Sequence, residues 1–259
     1  MNPAGKVALI TGAAHRVGKA IAVELADAGA NIVLAYHGAT LEAAATQAEL
    51  EALGVVVVPV AADLHRPAEV EWLAQTALKE FGRVDILVNS AASYRRTPLD
   101  TLSLEEWETV LGLNLTAPMW LARTLAPTMR TQPEAVIVNV ADLSAQVPEP
   151  NLLAHSVAKA GLVALTKALA IDLAPTVRVN AVMPGAVIPP PHFTDKEIER
   201  TAQATLLGRW GGGAAVARAV RFLVEDDFAT GSVVRVDGGE SLAWRRGRPG
   251  APPVRPAKR

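Results

Sequence analysis

The chain has 259 residues, half of them apolar and 20% charged, which suits a folded domain with a large buried core. It contains no cysteine, so disulfides, thiolate metal sites and cysteine nucleophiles are excluded, and no metal is expected. The net charge is −1, but six cations (Arg245, Arg246, Arg248, Arg255, Lys258 and Arg259) lie in the segment 245–259; the rest carries −7, which argues against a nucleic-acid surface.

Short apolar runs alternate with helical patterns from the start. The first strand, 7–10, ends in Gly12, and a helix follows at 17–29, stopping at Gly29. A second strand at 31–36 leads to a helix at 40–53 that stops at Gly54, and a third strand follows at 55–60. Pro67 opens the next helix, as proline does in a first turn, and this helix runs to 81. After a strand at 84–88 come helical patterns at 103–112 and 115–130, then a strand at 135–140. The longest amphipathic pattern spans 152–174. A sixth strand at 177–182, helices at 195–205 and 213–224, and a seventh strand at 232–236 complete the series. Strands that are apolar throughout and separated by helices imply a parallel sheet covered on both faces. The expectation is therefore an α/β, doubly wound Rossmann fold with a seven-stranded, mostly parallel sheet, forming one domain over 1–244. The segment 245–259, rich in Pro, Gly and Arg without periodicity, reads as a loose arm. Every apolar stretch is broken well before membrane-span length, and the N-terminus lacks a cleavage signature, so a cytoplasmic protein with no membrane partner is expected.

In such sheets ligands bind beyond the carboxyl ends of the strands. Thr11-Gly12-Ala13-Ala14-His15-Arg16-Val17-Gly18 joins the first strand to its helix. Gly12 permits a tight turn and Gly18 a close approach, so a diphosphate could sit on the helix N-terminus. The same pattern also fits an ordinary strand–turn–helix corner. Arg16 stands where a middle glycine is common, and no carboxylate follows the second strand until Glu42. Both features favour NADP(H) over NAD(H); His37 and Thr40 could add phosphate donors, and His37 reads equally as an ordinary surface-loop histidine. After the third strand, Asp63-Leu64 either meets an adenine amine or caps the next helix. After the fourth, Asn89-Ser90-Ala91 lets the chain pass close to a flat ligand, and Tyr94 either stacks on a substrate ring or packs as wall. Pro184, Gly185 and Val187 follow the sixth strand, where a turn could present amides to a carboxamide. Asp142 ends the fifth strand. His155 and Lys159, four apart, share a helix face. Together they could form a proton-donating relay, or be ordinary surface groups.

These motifs together, with Asn114, Leu207-Gly208-Arg209-Trp210-Gly211 and Val236-Asp237-Gly238-Gly239, resemble the short-chain dehydrogenase/reductase family over about 5–240. Arg16, Asp142 where most members carry Ser, and Ala91-Ala92-Ser93-Tyr94 with Thr97-Pro98-Leu99 make the chain most similar to pteridine reductases. The resemblance implies an NADP(H)-dependent reductase of a pterin-like or related flat heterocycle. It places Tyr94, Arg16, Asp142 and His155 against the substrate, Lys159 on the nicotinamide ribose, and a water on Asn114, a residue that reads equally well as a backbone-bonding Asn within a helical stretch. It also implies a homo-oligomer, dimer or tetramer, built on the helices at 115–130 and 152–174. A reductase of an unrelated carbonyl and a catalytically silent NADP(H) binder are the rival readings. The departure is at the proton donor: the family's Tyr, four residues before the Lys, is His155 here, and no Tyr-x-x-x-Lys occurs in the chain.

Overall fold

The computed structural model describes residues 1–191 and 193–243; the arm expected at 245–259 lies outside the described residues. Strand β1 (Val7–Thr11) is buried at all five positions, as a strand with helices on both faces must be. It pairs in parallel with β2 (Asn31–Tyr36) on one side and β4 (Ile86–Asn89) on the other. Strands β3 (Val57–Ala61), β5 (Ala135–Val140), β6 (Val177–Pro184) and β7 (Val233–Val236) extend the sheet to the order β3-β2-β1-β4-β5-β6-β7, with every pairing parallel. The order reverses between β1 and β4, so a cleft opens there at the carboxyl edge.

Alternate side chains of each strand feed two cores. Ala8 and Ile10 pack with Ile21 and Leu25 of α1 (Arg16–Asp27), Leu50 of α2 (Thr40–Glu51) and Val220 of α8 (Gly213–Glu225). Val7 and Leu9 pack with Leu73 of α3 (Pro67–Phe81), Leu121 and Leu125 of α5 (Ala117–Met129), and Leu173 of α6 (Leu153–Leu173). Truncating one of these leucines to alanine typically costs about 2–5 kcal/mol, so each helix is held on the sheet mainly by such contacts.

Four details depart from the sequence reading. β3 begins at Val57, because Val56 is 58% exposed at the strand's entry. β4 begins at Ile86, because the fully buried Asp85 turns its carboxylate to the amide of Val7 and to Arg83 instead of joining the apolar run. The helices expected at 103–112 and 115–130 are continuous: α4 (Leu104–Leu111) passes through a π-helical turn, Gly112–Thr116, into α5. Helix α7 (Asp195–Ala204) lies over the cleft, and a short α9 (Glu240–Ala243), unforeseen, follows β7.

Candidate active site

The glycine turn between β1 and α1 is packed to the limit. Gly12 has φ +66°, and a Cβ there would lie 3.0 Å from Ala91 Cα. A Cβ on Gly18 would lie 2.1 Å from the carbonyl oxygen of Gly12. Thr11 Oγ1 accepts from the amides of Ser90 and Ala91, tying this turn to the end of β4. No side chain caps α1 at His15, so its first N–H groups keep their partial positive charge for a ligand. The cleft above holds about 1030 Å³ and is lined by Gly12, His15, Arg16, Val17 and Gly18, then His37, Asp63, Leu64, Ser90 and Ala91, and finally Pro184, Gly185 and Val187. That volume stands at the top of the range for small-molecule sites, room for a dinucleotide with a small substrate.

At its far end stand the titratable groups. Asp142 caps a 3₁₀ turn, Leu143–Ala145, its Oδ1 accepting from Ser144 N at 2.8 Å. His155 and Lys159 rise from the first two turns of α6, each only 2% exposed. His155 Nδ1 lies 2.9 Å from the carbonyl oxygen of Ser93, which can only accept; Nδ1 therefore carries a proton. His155 Nε2 is buried without a hydrogen-bonding partner, 3.8 Å from Asp142 Oδ1. Lys159 Nζ donates to Val140 O at 2.7 Å. Burial pulls the Lys159 ammonium down to about 8, against the opposing pull of Asp142. Burial raises the Asp142 carboxyl, but His155 beside it and the Ser144 bonds outweigh this and hold it below its usual range. The ring of Tyr94 stands edge-on to that of His155, with centroids 5.1 Å apart at 76°. Burial, then Glu149 and Asp142, push the Tyr94 phenol well above its ordinary value, so it is no substitute acid for the missing tyrosine.

The structure does not bring every expected residue to the cleft. Thr40 opens α2 away from the walls. Asn89 turns into the sheet, where its Nδ2 donates to Asn139 Oδ1 at 2.8 Å. Asn114 is fully buried in the π-helical turn, its Nδ2 donating to Val110 O and to the same Ser93 carbonyl that receives His155. It thus stands behind the site and not in it. Arg16, at φ 54°, lines the cleft but directs its guanidinium to the carbonyls of Ile188 and Pro189, strapping the glycine turn to the segment after β6. Asp63 accepts from the amide and ring of His65. Burial works against it, yet these bonds and the nearby His37 keep its carboxyl below the usual value. Walls that the sequence reading missed include His65, Arg96, Glu149, Phe193 and Trp210. Only Trp210, inside the Leu207–Gly211 motif, carried a signal. Among the described residues no cluster suited to a metal occurs, and no helix is long and apolar enough to cross a membrane.

The chain is similar to known proteins over most of its length. A family model described as "Enoyl-(Acyl carrier protein) reductase" matches residues 12–241. A 3-oxoacyl-(acyl-carrier-protein) reductase of Synechocystis sp. is 36% identical over 242 residues, covering 90% of this chain and 96% of that protein. The enzyme of the same description from Thermotoga maritima is 32% identical over 247 residues, covering 92% and 99%. A blue fluorescent protein from a metagenomic library, crystallised with NADPH, superimposes with a TM-score of 0.86 at 30% identity, covering 93% of this chain and 100% of that one.

Proposed function

The chain belongs to the short-chain dehydrogenase/reductase family, and we propose that it is an NADPH-dependent reductase in which His155 replaces the family's tyrosine as proton donor. The observation that carries this reading is the convergence of His155, Asp142 and Lys159 on the far wall of a cleft whose near wall is a glycine turn at a helix N-terminus. NADPH, when bound, supplies a hydride. The N-terminus of α1 and the turn Gly12–Gly18 hold its diphosphate, and Asp63 and Leu64 flank the adenine. Lys159 holds the ribose, and Pro184, Gly185 and Val187 border the carboxamide. The 2′-phosphate is favoured because no acid follows β2 before Glu42, while His37 lines the cleft there.

For the substrate we favour a flat heterocycle bearing N–H donors, of the dihydropteridine type. Asp142, 29% exposed and held ionised, presents an acceptor that such a ring can satisfy, and Tyr94, 42% exposed, offers an aromatic face. The second reading is a 3-oxoacyl thioester, supported by the names of the curated relatives. A keto thioester carries no N–H at its reacting carbonyl to meet Asp142, which ranks it lower. In this account the protein is a cytoplasmic homo-oligomer. On α6, Leu162 and Leu173 are buried against the sheet, whereas Val163, Leu165 and Leu169 are only half-buried and Val157 is 43% exposed, leaving apolar surface for a second copy. Steady-state turnover with NADPH and NADH against dihydrobiopterin, acetoacetyl thioesters, quinones and ketones tests the reading. NADPH with the pterin is expected to give the highest kcat/KM. A preference for NADH, or no turnover with any of these, overturns it.

A further inference from the structure

We infer that His155 donates its proton from Nε2 and can do so only as the doubly protonated imidazolium, so that the charge on this one ring decides whether the site reduces or oxidises. The inference rests on the reductase reading above, but its spectroscopic test does not. A carbonyl oxygen has no hydrogen to give, so the 2.9 Å contact with Ser93 O commits Nδ1 to be the N–H of the neutral ring. Asn114 Nδ2 donates to the same carbonyl at 3.2 Å and to Val110 O at 2.9 Å, which fixes the Ser93 peptide in place. In the neutral ring Nε2 is then a lone pair, buried and unpartnered, on a residue that lines the cleft. Leaving such an acceptor unpaired is costly, a penalty typical of functional sites. A lone pair can take a proton from an alcohol or amine but has none to give to a carbonyl or imine.

The charged and titratable groups around the ring come from each neighbouring element. Asp142, after β5, lies 3.8 Å from Nε2 and favours the cation. Lys159, one turn along α6, opposes it, with its ammonium drawn away onto Val140 O. Tyr94, after β4, covers one side with a phenol, and Glu149 and Arg96 stand farther out along the cleft wall. In reduction the Nε2–H bond breaks and its proton goes to the substrate oxygen or nitrogen. The adjacent carbon would receive the hydride and its electron pair that NADPH supplies when bound, leaving NADP⁺, and His155 is left as the Nδ1–H imidazole for water to reprotonate. In the reverse direction the Nε2 lone pair receives the proton.

The test is two-dimensional ¹H–¹⁵N correlation across the ring bonds in the ¹⁵N-histidine-labelled protein with NADPH added, His155 being assigned by its loss in His155→Gln. Wherever the spectrum reports the neutral ring, His155 is expected to show a protonated Nδ1 and a bare Nε2. Its reductive kcat with a dihydropteridine should fall at least tenfold as that spectrum reports loss of the ring's charge, while the reverse oxidation rises. In His155→Tyr both limbs should move to higher pH. A neutral ring protonated at Nε2, or a reductive kcat that does not change as the ring loses its charge, overturns the inference. Failure to bind or turn over NADPH condemns the reductase reading instead, and the tautomer spectrum is then still decisive for the ring.

Discussion

Lys159 offers a quantitative check on the electrostatics of the site. Its ammonium is 2% exposed, and burial lowers its pKa from 10.5 to about 8. Between those two values the unfolded chain holds a proton that the folded chain has lost, so stability rises with pH across that window. Below about pH 8 the full penalty applies. At 1.36 kcal/mol per unit it amounts to about 3 kcal/mol at pH 7 and falls to about 1.5 kcal/mol at pH 9.5. Lys159→Met removes the penalty at every pH and leaves Val140 O without its donor, at a pH-independent cost of about 1–3 kcal/mol. The unaltered protein should therefore gain about 2 kcal/mol on Lys159→Met between pH 7 and pH 9.5. Urea unfolding followed by tryptophan fluorescence at the two pH values reads this difference directly. Stability curves that run parallel in the two proteins would refute the buried, pKa-depressed ammonium beside His155.

Gly18→Ala places a methyl 2.1 Å from Gly12 O, which only a backbone shift can relieve; NADPH affinity should fall at least tenfold by fluorescence titration, with about 1–3 kcal/mol lost in stability. Asp85→Ala leaves the buried Val7 amide beside β1 without its acceptor and the part-exposed Arg83 guanidinium to water, and chemical denaturation should register a loss of about 1–3 kcal/mol. Tyr94→Phe should leave the KM for a dihydropteridine within about twofold, whereas Tyr94→Ala should raise it about tenfold, the equivalent of one aromatic stacking contact. A ketone substrate should feel neither change, and an equal effect on both would detach Tyr94 from ring recognition.

Much of the architecture was readable because burial leaves a plain periodicity. β5 has all six residues buried, and its limits follow from the apolar run alone. Helix α3 is bounded by Pro67, whose missing N–H costs nothing in a first turn, and by Gly82 at φ 71°. The π-helical turn at Gly112–Thr116 was not readable, since it shifts the hydrogen-bond pattern within a continuous helix without breaking the apolar stripe. In the site, the spacing of His155 and Lys159 and the place of Asp142 after β5 were enough to bring the three together. What escaped was backbone chemistry. The carbonyls of Ser93, Ile188 and Pro189 decide the tautomer of His155 and the direction of Arg16, and no side-chain pattern reports where a carbonyl points.

Single-turnover oxidation of NADPH, followed by stopped flow with saturating dihydropteridine, puts the histidine-for-tyrosine assignment under the most direct strain when the unaltered chain is compared with His155→Phe. The account predicts turnover in the former and a loss of about 10²–10⁴-fold in the latter, the usual worth of a general acid. A variant that reduces substrate as fast as the unaltered chain would contradict it.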